Sequence, residues 1–209
     1  MKRIFPNKAV VGRTLPKEAF YKKLKLSSEI KEKFVTDIKK IIVEYKLTHE
    51  TINVGKDDKT SEILVLSIEL KKQDIDYRII ENIARQNTHK LLFILKFQNS
   101  IQLCVYYNKL YKTTWKPSED INLSVKGLNL TRIWESIIEQ IAVQQELIAE
   151  QDGLSVEDKL KKQEKILKLQ KEIGKLERAT RNEGQPKKKF ELYSQLQSLK
   201  RIISEEKGE

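Results

Sequence analysis

The sequence predicts an α+β fold: a mixed, mainly antiparallel sheet flanked by helices, followed by a C-terminal antiparallel helical hairpin of coiled-coil type. Three observations predict it. In residues 62–71, EILVLSIELK, one strand face would carry Ile63, Val65, Ser67, Glu69 and Lys71 and the other Leu64, Leu66, Ile68 and Leu70. Such a strand is apolar on both faces for most of its length and belongs at the centre of a sheet. Residues 90–97 and 101–107 are apolar runs of strand length joined by Gln98, Asn99 and Ser100, the length and chemistry of a hairpin loop. After residue 155, Ile166, Leu169, Ile173 and Leu176 step by 3, 4 and 3, and Leu192, Leu196, Leu199 and Ile203 step by 4, 3 and 4. These are two coiled-coil seams of matching length, joined by a short turn.

The first stretch, with Lys8, Arg13, Lys17, Lys22, Lys23 and Lys25, reads as an extended arm and a short helix, with Pro16 in the first turn and Thr14 as its cap. Ser27 or Ser28 caps a longer helix to residue 47, because Ile30, Phe34, Ile38, Ile41, Ile42 and Tyr45 recur at helical spacing. Residues 51–54 read as a short strand, joined through the polar turn 55–60 to the central strand as an antiparallel pair. Asp74 caps a helix over 75–87, with Ile75, Ile79, Ile80, Ile83 and Ala84 facing the sheet. Residues 111–115 add an edge strand, and Pro117 begins an irregular connection. The aromatics Tyr106, Tyr107, Tyr111 and Trp115 fit cross-strand packing better than base stacking.

From residue 130 the pattern is helical. Ile133, Ile137, Ile138, Ile141 and Leu147 define one helix, broken at Asp152-Gly153; Ser155 with Asp158 forms a capping pattern for the next. Gly184-Gln-Pro186 ends that helix, and the last begins near Lys188. The organisation is therefore a sheet domain over 1–150 and a helical interaction module over 151–209. Two helices bury little apolar surface, so a third helix, a second copy or another protein is expected to cover the stripe.

Basic residues exceed acidic ones by 41 to 30, and the excess sits at the ends: +7 over residues 1–50 (13 basic, 6 acidic), 0 over 51–150 and +4 over 151–209. Phosphate contact by Lys22, Lys23, Lys25, Lys39 and Lys40 is one use for it, a solvated surface the other. The start of the chain lacks a signal-peptide core and no apolar run approaches membrane length, so a cytoplasmic protein with no membrane partner is expected. The lone Cys104, alternating with Leu103 and Val105, reads as a small core residue. Two distant histidines offer no zinc site. Neither a glycine-rich phosphate loop nor a Gly-x-Ser-x-Gly elbow occurs, and with 7 glycines a nucleotide-cradling backbone is not expected.

One arrangement carries chemistry. Glu69 and Lys71 share a strand face, the local geometry of an Asp…Glu-x-Lys nuclease, in which two acids hold Mg²⁺ and the lysine activates water. The order helix, strand, strand, helix, strand around them resembles that superfamily's core. The upstream acid is missing: Asp58 lies in a turn, Glu62 opens the same strand, and Asn53 stands where an aspartate is wanted. One strand of the usual three is missing too.

Across nearly its whole length the chain resembles a bacterial domain family of unknown function, numbered 4391, labelled methylase-associated. The resemblance lies in Pro16-Lys17, Tyr45-Lys-Leu47 with Thr51-Ile-Asn53, the strand 62–71, Tyr111 to Trp115, Arg181-Asn-Glu-Gly-Gln185 and Lys189-Phe-Glu-Leu192. It implies the company of DNA methyltransferases and helicase-type restriction subunits. The expectation is thus a non-catalytic accessory subunit of a restriction-modification or phage-defence system, without cofactor, whose hairpin seam binds a methyltransferase or helicase or forms a homodimer, and which contacts DNA. The alternative is the Mg-dependent nuclease, or a degenerate relative, using Glu69, Lys71, Asp58 and Glu62.

Overall fold

The computed structural model describes residues 4–148 and 153–207. The chain divides into two compact units, Met1–Ala142 and Val143–Glu209.

In the first unit a seven-stranded sheet runs in the order β1 (Val10–Leu15), β2 (Ile38–Leu47), β3 (Ile63–Leu70), β4 (Lys90–Phe97), β5 (Ser100–Tyr107) and β6 (Lys109–Lys112), with β7 (Lys116–Pro117) also on β5. All neighbours are antiparallel except β3 and β4. That one parallel pair needs a crossover, which α4 (Arg78–Arg85) supplies. The predicted central strand is in place, buried on both faces except at Leu64 and Glu69. The β4–β5 hairpin turns at Gln98, which takes a left-handed φ of 52°, and pairs Phe97 with Ser100.

One sheet face carries Leu66, Ile68 and Leu70 against Phe34, Ile75, Ile79, Ile80 and Ile83, drawn from α4, the loop before it and α2 (Ser28–Asp37). On the other, Ile63, Val65, Leu92, Ile94, Leu103 and Val105 are equally buried, and α5 (Leu130–Ala142) adds Ile133, Trp134, Ile137 and Ile138. Burial of an aliphatic side chain of this size stabilises by about 1.5–3 kcal/mol, so the two-sided strand is the energetic centre of the unit.

Several expectations are corrected. The helix expected to residue 47 ends at Asp37, and residues 38–47 form β2, hydrogen-bonded to β1 on one side and β3 on the other. The arm is therefore an edge strand. Thr14 lies in β1 and caps nothing; Pro16 occupies the cap position of α1 (Lys17–Lys23). Residues 51–54 are not a strand. Thr48 and Thr51 form a reciprocal capping box that folds α3 (His49–Ile52), and Asn53 ends it in the left-handed conformation. The antiparallel partner of β3 is accordingly β2. With β1 and β2 present, three antiparallel strands precede α4. Asp74 does not cap α4, whose N-cap is Tyr77; Asp76 instead accepts the Arg78 N–H. The edge strand spans 109–112 rather than 111–115, and Pro117 is still paired.

In the second unit α6 (Val156–Asn182) begins at Ser155, whose hydroxyl accepts the Asp158 N–H as expected. It packs on α7 (Pro186–Lys207), which starts two residues before Lys188. Ion pairs Lys165–Glu206 and Glu177–Lys200 link early α6 to late α7 and the reverse, so the pair is antiparallel. Leu147 lies in a turn beyond α5, outside the helix assigned to it, and Asp152 is outside the described residues. No helix among the described residues is long and apolar enough to cross a membrane.

Candidate functional site

The chemistry-bearing residues gather where β3 ends and β2 begins, because antiparallel pairing sets those termini side by side. Glu69 lies opposite Lys40 of β2 and Lys96 of β4, and its carboxylate is 3.7 Å from Lys39 Nζ. A bulge between Ile38 and Lys40 turns both Lys39 and Lys40 to solvent. One residue past the strand, the Lys71 N–H donates to the Asp37 carbonyl, and Lys71 Nζ donates to Val35 O at 2.9 Å. Lys17 Nζ donates to Ile38 O. Burial, with Lys71 nearby, lowers the Lys17 pKa.

Asp37 is the acid that the sequence did not reveal at this end. The helical spacing of residues 30–45 places it mid-helix; the β-branched run Ile41-Ile-Val43 behind it is the signal for a strand. Its side chain is fully buried. Oδ1 takes hydrogen bonds from Thr36 at 2.8 Å and Lys72 at 2.9 Å, and Oδ2 one from the Asp76 N–H at 3.3 Å. Burial works to raise its pKa, but the bonds from Lys72, Thr36 and Asp76 outweigh it and hold the carboxyl below its usual range.

The other members of the alternative set lie elsewhere. Glu62 lies one residue before β3, seven residues and roughly 23 Å of extended chain from Glu69 at about 3.3 Å per residue. There it meets Lys46 at 2.5 Å and His89 Nδ1 at 2.9 Å. Asp58 is exposed in the loop before β3, while its neighbour Asp57 accepts the Thr131 N–H at 2.7 Å in the first turn of α5. The Thr131 side chain, first, and the Lys59 N–H draw the Asp57 pKa down. Glu69 and Lys71 are thus brought together, and Asp58 and Glu62 are not. Among the described residues no group of three or more His, Cys, Asp and Glu could hold a metal ion.

The five lysines also divide. Lys39 and Lys40 flank Glu69, whereas Lys22, Lys23 and Lys25 lie at the far end of α1, where the Lys25 N–H meets Gln86 at the end of α4. Cys104 is fully buried, its thiol pushed up to about 12 by desolvation, as suits a core residue. In the hairpin Ile166 and Leu196 are buried; Leu169, Ile173, Leu176, Leu192, Leu199 and Ile203 are only partly covered.

No curated protein and no solved structure matches the chain significantly. Residues 4–203 match the family model described as Domain of unknown function (DUF4391). With nearly every element of both units inside that span, the chain belongs to the DUF4391 family.

Proposed function

We propose that the protein is a non-catalytic accessory subunit of a DNA restriction-modification or phage-defence system, acting in the cytoplasm, whose helical hairpin binds a DNA methyltransferase or helicase-type protein. One observation carries the reading: six of the eight seam side chains in α6 and α7 are only partly covered by the hairpin itself. A half-open apolar stripe between charged flanks is the surface that an amphipathic helix or groove of a partner completes. The lysines at the β2–β3 end and on α1 supply positive charge for DNA held beside that partner. Co-expression with a DNA methyltransferase and affinity capture tests it. Capture by the full chain, lost on deletion of 155–209, is expected; capture that survives the deletion overturns the role of the hairpin.

A second reading is favoured by Asp37. It precedes β2, and its carbonyl is hydrogen-bonded to Lys71, so an upstream acid reaches the Glu69–Lys71 end of the sheet. A relative of the Asp…Glu-x-Lys nucleases would have this order of parts, with Mg²⁺ as its cation. The first reading is preferred because Asp37 already takes its cation, Lys72, from within the chain, and Glu69 faces Lys39. A cleavage assay with Mg²⁺ and Mn²⁺ on plasmid and single-stranded DNA separates the two. No cleavage is expected; cleavage abolished by both Glu69→Ala and Lys71→Ala would establish the second.

A further inference from the structure

The hairpin carries a feature that neither its packing nor its seam uses. Around the turn between α6 and α7, residues 178–193 hold five basic groups against two acidic ones, together with Phe190, 71% exposed, and Tyr193, 51% exposed. A phenylalanine with most of its surface in water gains nothing from folding. No described carboxylate is within ion-pair distance of Arg178, Lys187, Lys188 or Lys189.

Helical periodicity puts these groups on one side. At 3.6 residues per turn, Lys189, Tyr193 and Phe190 follow one another over about 100° of α7, from Lys189 at the edge of the seam beside Leu196 round to Phe190, which is turned away from it. Lys200, on the same flank as Tyr193, pairs with Glu177 of α6 at 2.7 Å. That ion pair marks which flanks of the two antiparallel helices adjoin. Arg181 and Arg178 lie on this flank of α6, and Arg181 is close enough to Glu177 to help lower its pKa, after Lys200. Antiparallel pairing brings Arg181 level with Tyr193. Glu191 points to the opposite flank, and Glu183 accepts the Gln185 N–H within the turn.

We propose that this flank of the hairpin end, Arg178, Arg181, Lys189, Phe190 and Tyr193, is a binding surface for single-stranded nucleic acid, with the two rings as stacking platforms and the cations on the phosphates. The charge suits any polyanion; the exposed rings select unpaired bases, whose faces are free, over a duplex or an acidic peptide. The surface shares the expectation of nucleic-acid binding with the accessory reading but uses none of Lys22, Lys23, Lys25, Lys39 or Lys40.

The test is fluorescence anisotropy of the full chain with labelled oligo-dT across a salt series, with a duplex and polyglutamate as competing probes. Oligo-dT is expected to bind more tightly than either competitor. Phe190→Ala with Tyr193→Ala should weaken it about thirtyfold or more at an unchanged salt slope. Arg181→Glu with Lys189→Glu should lower that slope, by about 0.7 for each phosphate no longer neutralised. All four positions are on the surface, so circular dichroism should show native helicity. Absence of oligo-dT binding, or wild-type affinity in both variants, overturns the proposal. So does equal binding of polyglutamate that is indifferent to the aromatic changes, which makes the patch a dock for an acidic protein. Loss of binding on Lys22→Glu, Lys23→Glu and Lys25→Glu, with the hairpin variants unaffected, overturns it and leaves the DNA binding of the accessory reading standing.

Discussion

Two buried polar side chains on and beside the central strands have opposite energetic meanings. Ser67 lies in β3 between Ile42 and Ile94, and its hydroxyl alone, among described buried side-chain polar atoms, has no hydrogen-bond partner. An unsatisfied buried hydroxyl costs about 1–3 kcal/mol, so Ser67→Ala should raise the urea midpoint without altering the fold. A lower midpoint would mean that the hydroxyl has a partner in solution. Asp37, in contrast, is fully satisfied. Asp37→Asn removes the charge facing Lys72 and should destabilise by about 1.5–3 kcal/mol at neutral pH. Because the folded-state pKa is depressed, the carboxylate's contribution is complete above its ordinary pKa of about 4 and is lost as pH falls through the lower folded value. Urea midpoints of wild type and variant should therefore differ by a constant amount near neutrality and converge in acid; a gap that persists at low pH would count against the charge as its origin.

Among the elements, the helices differ in how locally they are determined. The Ser155 hydroxyl accepts the Asp158 N–H at 3.1 Å and donates to the Asp158 carboxylate at 2.6 Å, satisfying one of the donors that a helix start leaves free. Loss of such a cap costs about 0.5–2 kcal/mol. Ser155→Ala should lower the stability of α6 by that amount, read as earlier loss of helicity on heating, while Ser155→Asp should restore most of it. The sheet elements instead depend on distant partners: β2 takes hydrogen bonds from β1, which ends 23 residues before it begins, and from β3, which begins 16 residues after it ends.

For the molecule as a whole, the division after Ala142 makes its own prediction. The first unit contains the complete sheet, both of its covered faces and helices α1 to α5. A chain ending at Ala142 should therefore fold alone, with mixed helix and strand dichroism and one cooperative urea transition. A molten or aggregated product would show that the hairpin is needed to complete the core.

Elements whose signal is local and redundant could be read from the residues alone. The strand 62–71 is apolar on both faces, the 90–107 hairpin is in place, Ile79, Ile80 and Ile83 of α4 and Ile75 in the loop before it are all buried, and the α6–α7 seam and the Ser155 cap are in place. Glu69 and Lys71 were equally legible as neighbours, being two residues apart, although β3 ends at Leu70 and Lys71 lies one residue past it. It took the assembled sheet to make residues 38–47 a strand and so to stand Asp37 beside Lys71. The reason is the register. Bulges between Ile38 and Lys40 and between Val43 and Tyr45 break the two-residue alternation, so the buried positions Ile38, Ile41, Tyr45 and Leu47 fall mostly at helical spacing. A periodicity of three and four can come from a helix or from a strand with two bulges, and pairing with β1 and β3, invisible in the local sequence, selects the strand.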